Sequence, residues 1–146
     1  MNRYFVSTDP ALFDFDSIHS FLTDSYWAKN IPKETLKKAI ENSLCFAIIL
    51  ESNPPQQVGF ARMITDKATF AYLADVFILE EHRGKGLSKR LMEHIVSHPD
   101  LQGLRRIMLA TKDAHTLYSK YGFEPIEQVS RLMQVWNPNV YLNPNK

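Results

Sequence analysis

The sequence predicts an α/β domain built on a central, mixed, twisted β-sheet with helices on its faces, and three observations carry that prediction. Leu44 to Leu50 (LCFAIIL) and Val58 to Ile64 (VGFARMI) flank the turn Asn53-Pro54-Pro55-Gln56 and read as a hairpin. Phe70 to Leu79 (FAYLADVFIL) is apolar on both faces except for Asp75 and the Tyr72 hydroxyl, the pattern of a strand covered on both sides. The chain then turns through Arg83-Gly84-Lys85-Gly86 into a segment where Leu87, Leu91 and Ile95 recur at helical spacing and stop before Pro99.

The other elements follow in order. Tyr4 to Val6 reads as a first strand. Phe15, Ile18 and Leu22 space a helix over Phe15 to Ser25, and a second helix has Pro32 in its first turn, Leu36 and Ile40 four apart, and Asn42 at its end. Tyr26-Trp27 is an aromatic insertion between them. Ile107 to Ala110 predicts a strand, Ala114 to Tyr121 a short helix closed by Gly122, and Val129 to Trp136 a last strand. The predicted order is βααβββαβαβ.

With 146 residues the chain is expected to form one domain, 1–146, ending in a Pro/Asn-rich tail over 137–146. A chain near this length buries roughly 70% of its unfolded surface, so a core needs no metal or disulfide staple. The single Cys45 points to a reducing compartment, and His19, His82, His94, His98 and His115 lack zinc-ligand spacing, so no metal is expected. A formal net charge of +1 argues against nucleic-acid or membrane-surface partners, which need a clustered basic field. Met1 to Ser7 has no apolar run of signal-peptide or membrane-span length, and a cytoplasmic location is expected.

The strand, the glycine turn and the helix at Leu87 form the most informative segment. Glycines let backbone N–H groups converge, the helix start adds partial positive charge, and Arg83 and Lys85 add formal charge, so the unit suits an anion such as a pyrophosphate. The string lacks the GxxxxGK[ST] pattern, and Lys89 stands where a dinucleotide fingerprint has its third glycine; both points lead away from ATP and NAD.

Val76-Phe77-Ile78, followed by Arg83-Gly84-Lys85-Gly86-Leu87-Ser88 and an amphipathic helix, resembles the acetyl-CoA motif of the GNAT N-acetyltransferases. Ala114-His115-Thr116-Leu117-Tyr118-Ser119-Lys120-Tyr121-Gly122-Phe123 resembles that family's A-x-x-L-Y-x-K-x-G-F helix and turn. The resemblance implies a GNAT-like fold with a splayed central strand, and acetyl-CoA as co-substrate. It places Val76, Phe77 and Ile78 along the pantetheine, with a backbone N–H polarising the thioester carbonyl. It assigns Arg83 to Ser88 to the pyrophosphate, and Ala114 and the position of Thr111 to pantetheine. Thr111 stands where the family often has Asn, which implies weaker contact, assisted by Asp113, itself an ordinary N-cap residue.

By the same resemblance Tyr118 is the acid that protonates the departing CoA sulfur; a phenol, neutral at pH 7, can give a proton. The plainer reading is a core tyrosine, and Tyr121 is a nearby competitor. Asp75 has two readings, a general base raised in pKa by burial or a structural hydrogen bond or salt bridge. Strand alternation puts Tyr72 on the face opposite Asp75, near where some family members place a catalytic carboxylate, so water-mediated deprotonation or substrate packing fits it. Cys45 is expected as a buried, unreactive thiol.

In the family the acceptor is gripped by the helices between the first two strands, so Tyr26 and Trp27 lead as specificity residues, though Trp27 also suits a core plug. Arg62, Arg131 and Tyr141 are further wall residues. The expected acceptor is a small-molecule amine. Protein N-terminal or lysine acetylation, a non-catalytic CoA-binding sensor and a protein-interaction domain are the alternatives, and the tail over 137–146 is a surface for a homodimer.

Overall fold

The computed structural model describes residues 3–142. Five strands form one open sheet in chain order: β1 (Tyr4–Ser7), β2 (Leu44–Leu50), β3 (Gln56–Thr65), β4 (Phe70–Ile78) and β5 (Arg106–Leu109). Neighbours from β1 to β4 are antiparallel and β5 runs parallel to β4. The helices are α1 (Phe15–Thr23), α2 (Lys33–Glu41), α3 (Leu87–Ser97) and α4 (His115–Ser119). Among the described residues no helix is long and apolar enough to cross a membrane.

Helices on both faces explain why the central strands are apolar on both sides. Phe46, Ile48, Val58, Met63 and Leu73 pack with Leu87, Leu91 and Ile95 of α3 and Tyr118 of α4. On the reverse face Cys45, Phe60 and Phe77 pack with Ile18 and Leu22 of α1 and Leu36 of α2. α1 starts where the Asp14 carboxylate accepts the Ser17 N–H (3.2 Å), and the Asp14 N–H donates to buried Gln57 of β3 (2.6 Å), which fixes the helix to the sheet. Pro32 sits at the N-cap of α2, one position outside its first turn, and Asn42 closes it.

Gly59 has no room for a side chain. A Cβ there would lie 2.9 Å from Ile48 Cδ1, 3.0 Å from Ile78 Cδ1 and 3.1 Å from the Phe77 carbonyl oxygen, between β2 and the end of β4. Two of those neighbours belong to the strand that carries the site.

The predicted last strand over Val129 to Trp136 does not form. A 3-10 turn spans Val129–Arg131 and the rest runs without a ladder, leaving Met133 at 96% and Val135 at 95% exposure. Its apolar, β-branched and aromatic composition marks a surface that packs well in a sheet, and among the described residues no strand pairs with it. The short helix is also trimmed to five residues with its C-cap at Lys120, so Gly122, at φ +92°, turns the chain two residues beyond the cap and does not close the helix as expected. Residues 143–146 of the expected homodimer tail lie outside the described residues.

Gly59→Ala is expected to destabilise the protein by about 1–3 kcal/mol through overpacking, read as a lower urea midpoint. An unchanged midpoint would mean that β2 and β4 do not close on Gly59 as described.

Candidate functional site

β4 is the strand on which the site is built. Phe60 pairs with Phe77 and Arg62 with Ala74, so Ala61 of β3 faces two residues of β4, Asp75 and Val76. This is a β-bulge, and Asp75 takes φ +57°, a region that costs a non-glycine residue about 1 kcal/mol or more unless its surroundings hold it there. The extra residue reverses the facing of the strand. Ala71 and Leu73 point to the α3 face before the bulge, Val76 and Ile78 after it.

Asp75 is held by two side chains. Arg62 Nε donates to Oδ2 at 2.7 Å and Trp27 Nε1 donates to Oδ1 at 2.9 Å, with Arg62 also reaching Ser43 Oγ at 3.2 Å. Both carboxylate oxygens are therefore engaged in a buried ion pair, the structural alternative that the sequence left open. Tyr72 corrects the expectation from simple alternation. Cys45, Arg62 and Ala74 are cross-strand neighbours on the α1/α2 face, Tyr72 lies two residues from Ala74, and the bulge turns Asp75 to that face too.

The bulge coincides with a split in the sheet. β5 pairs with Phe70 to Leu73 only, whereas β3 stays with β4 to Ile78. From Ala74 onward the outer edge of β4 is free. The Leu79 N–H donates to Val58 of β3 (2.8 Å), so by alternation the N–H groups of Val76 and Ile78 face the opening. Phe77 instead turns its ring into the α1/α2 core, stacked on Phe21 at 4.0 Å.

At the end of β4 the chain makes a 3-10 turn over Glu80–His82 and enters Arg83-Gly84-Lys85-Gly86. Gly84 (φ +77°) and Gly86 (φ +74°) take left-handed backbone that other side chains rarely adopt, and no atom lies within 4 Å of where either Cβ would stand. Arg90 is the first residue of α3 whose N–H finds a helical acceptor, at Gly86. Among the described residues the N–H groups from Gly84 to Lys89, those of Leu87 and Ser88 included, donate to no protein acceptor. An open row of amides at the positive end of an eleven-residue helix fits a pyrophosphate. Lys85 is exposed beside it, while Arg83 Nε folds back to the Ile78 carbonyl (2.9 Å) and fastens the turn to β4.

Tyr118 of α4 is 9% exposed, packed edge-on against Phe123 at 5.9 Å, and burial pushes its pKa above the ordinary tyrosine value. Its hydroxyl has no hydrogen-bond partner among the described residues and is not sealed from solvent, so it can meet a ligand atom. Tyr121 differs, since its hydroxyl donates to the Lys89 carbonyl (3.4 Å). Thr111 Oγ1 accepts the Ala114 N–H (3.0 Å) and so takes the turn-closing place expected of Asp113, which caps nothing.

Tyr26 and Trp27 line an open cavity of about 570 Å³ with Ser17, Ser20, Phe21, Asp24, Ser25 and Leu79. Trp27, 43% exposed, is a wall and not a core plug. Arg131 is exposed, and Tyr141 packs on the α1/α2 core. The sequence offered no sign of the aligned Ser17, Ser20 and Asp24 face of α1, since polar residues there look like ordinary solvated helix. Lys112, whose ammonium lies 5.3 Å from the Tyr26 ring centroid, was equally unmarked.

A split β4 edge leading into an open-amide helix start, with Tyr118 on the helix that follows β5, is the layout of an acyl-CoA-dependent transferase. Residues 41–125 match the family model described as Acetyltransferase (GNAT) domain. A Xanthomonas campestris pv. campestris crystal structure, provisionally assigned to the GNAT acetyltransferases, is 51% identical with a TM-score of 0.90, covering 95% of this chain and 96% of that one. A Gibberella zeae protein provisionally named an acetyltransferase is 37% identical, covering 80% of this chain and 76% of its own. A Clostridium acetobutylicum acetyltransferase crystallised with acetyl-CoA shares the fold at 17% identity, with a TM-score of 0.61 and coverage of 92% and 96%. This chain belongs to the GNAT acetyltransferase family, whose members use acetyl-CoA. Among the described residues no cluster of three or more His, Cys, Asp or Glu could hold a metal ion.

Cys45 lies behind Arg62 on β2, and burial pushes its thiol from 9.0 up to about 12, against the lowering pull of Arg62. The folded chain thus keeps a proton that the unfolded chain releases, so stability falls as pH rises above the ordinary thiol value. Urea unfolding from pH 8 to 11 is expected to show a decline of up to about 1.4 kcal/mol per pH unit, flattened between pH 9 and 10 in Cys45→Ala. An identical decline in that variant would assign the slope to other groups.

Proposed function

We propose that the protein transfers an acetyl group from acetyl-CoA directly to the primary amine of a small molecule, with Tyr118 as the acid for the departing thiolate. One observation carries this reading. Tyr118, on the helix that follows β5, has a hydroxyl with no hydrogen-bond partner among the described residues, and the β4 edge that β5 leaves unpaired runs into the open amides, which supports this reading.

In this reading the amides of Gly84, Lys85, Gly86, Leu87 and Ser88 hold the pyrophosphate, with charge from Lys85 and, less directly, Arg83. Pantetheine lies along Val76, Phe77 and Ile78 as an added strand, and an outward N–H polarises the thioester oxygen, a role worth about 2.7–4 kcal/mol where it has been removed elsewhere. Thr111, with its hydroxyl committed to Ala114, shapes this wall and gives little to the ligand. Tyr26, Trp27 and Tyr72 form the acceptor wall. Asp75 anchors Trp27 and leaves the acceptor's proton to water, because both of its oxygens are already engaged.

The neutral amine attacks the thioester carbon, the C–S bond breaks, the attacking nitrogen gives a proton to water, and the thiolate takes the Tyr118 proton, which solvent restores. A cavity of about 570 Å³ with hydroxyls on one side and aromatic rings on the other supports a small acceptor over a protein tail. A homodimer belongs to the same reading, since Met133, Val135 and Trp136 stand in solvent on one copy.

Tyr118→Phe is expected to lower kcat by about 10²-fold or more with KM for acetyl-CoA within a few-fold, measured as thiol release across a panel of small amines. Burial raises the Tyr118 pKa, so the acid stays protonated to higher pH than a free phenol, and the alkaline fall in wild-type activity is expected above the ordinary tyrosine value. Equal turnover in the variant would remove Tyr118 from the chemistry. Acetyl-CoA binding with no turnover on any amine would favour a sensor.

A further inference from the structure

Lys112 makes a contact of a different kind from the cations that form ion pairs. Lys29 pairs with Asp24, Arg62 with Asp75, and Lys67 with Asp100, whereas Lys112, exposed on the loop between β5 and α4, makes no ion pair among the described residues. Its ammonium lies over the Tyr26 ring, at a distance where a cation is held by the aromatic face. Tyr26 lines the acceptor cavity. A lysine amine therefore already occupies the kind of aromatic surface that would receive an acceptor ammonium.

The surrounding geometry ties that amine to the reacting end of the cavity. Tyr26 meets Trp27 edge-on at 5.1 Å, and Trp27 is hydrogen-bonded to Asp75, two residues beyond the last β4 residue paired with β5. The loop that bears Lys112 leaves the end of β5 at that same split and runs directly into α4, which bears Tyr118. Lys112 thus bridges the opening, with its backbone on the side of the acid and its amine on the acceptor wall. Its four-carbon stem is flexible enough to move the amine along that wall.

We propose that Lys112 is an internal acceptor, which the enzyme acetylates from acetyl-CoA when no outside amine fills the cavity; this rests on the acetyl-transfer reading above. The Lys112 ammonium gives one proton to water, and its nitrogen lone pair attacks the thioester carbon. As the C–S bond breaks, the attacking nitrogen gives its second proton to water and the thiolate takes a proton from Tyr118, which solvent restores. The products are Nε-acetyl-Lys112 and free CoA thiol. The amide carries no charge, so the cation–π hold on Tyr26 is lost and the ring is released from the loop.

The test is incubation of the purified protein with acetyl-CoA and no added amine, followed by intact mass and peptide mapping. Wild type is expected to gain one acetyl group at Lys112, at a rate per molecule independent of protein concentration, and at least about tenfold more slowly in Tyr118→Phe. Lys112→Arg keeps a cation on Tyr26 and is expected to gain none while still being stabilised by acetyl-CoA. Acetylation spread over surface lysines, an equal rate in Tyr118→Phe, or a rate that grows with concentration overturns the proposal. Thiol release on small amines with Lys112 unmodified overturns it and leaves the acetyl-transfer reading standing. No thermal stabilisation by acetyl-CoA and no transfer to any amine overturns both.

Discussion

One buried carboxylate, that of Asp75, accepts from Arg62 on the neighbouring strand and from Trp27 forty-eight residues away, and the geometry of the site hangs on those two bonds. The positive φ of Asp75 is unfavourable alone, and a buried carboxylate without partners would be far more so. Each cost is offset by the other's solution. The bulge turns the carboxylate toward Arg62 and Trp27, and the two donors keep the bulge in place.

Everything downstream follows from the inserted residue. It turns Val76 and Ile78 to the α3 face and sends Phe77 into the α1/α2 core, so β4 stays anchored to β3 after β5 has left it. The exposed edge runs straight into a turn whose two glycines accept left-handed backbone, and the amides that follow find no acceptor before Arg90. On the other side of the sheet the same carboxylate holds Trp27 as a wall of the open cavity that Tyr26 also lines. The free strand edge and the cavity wall are therefore set by one local distortion.

Most of this architecture was legible from local chemistry. LCFAIIL, VGFARMI and FAYLADVFIL declare strands covered on two faces, and Arg83-Gly84-Lys85-Gly86 before Leu87 declares an anion-binding helix start, because composition and glycine placement act over a few residues. The bulge was not legible. An Asp within an apolar strand carries no mark of its φ, so alternation put Tyr72 and Asp75 on opposite faces, and the bond to Trp27 spans a sequence distance that no local pattern records. Val129 to Trp136 failed for the converse reason: strand composition describes a surface seeking a neighbour, and the fold offers it none. Thr111 and Asp113 exchanged roles because a hydroxyl three residues before Ala114 reaches its N–H as readily as a carboxylate nearer by.

The central claim is that the β4 edge, the open amides and the Trp27 wall form one continuous site for acetyl-CoA and its acceptor. A two-dimensional ¹H–¹⁵N titration of the protein with acetyl-CoA tests it most directly, with Gly84→Asp as the comparison. The amides of Val76, Ile78 and Gly84 to Lys89 and the Trp27 indole N–H are predicted to shift together, the Trp136 indole to stay still, and the Gly84→Asp spectrum to remain unmoved. Shifts that bypass the β4 edge and the glycine turn, or none at millimolar acetyl-CoA, would contradict the account.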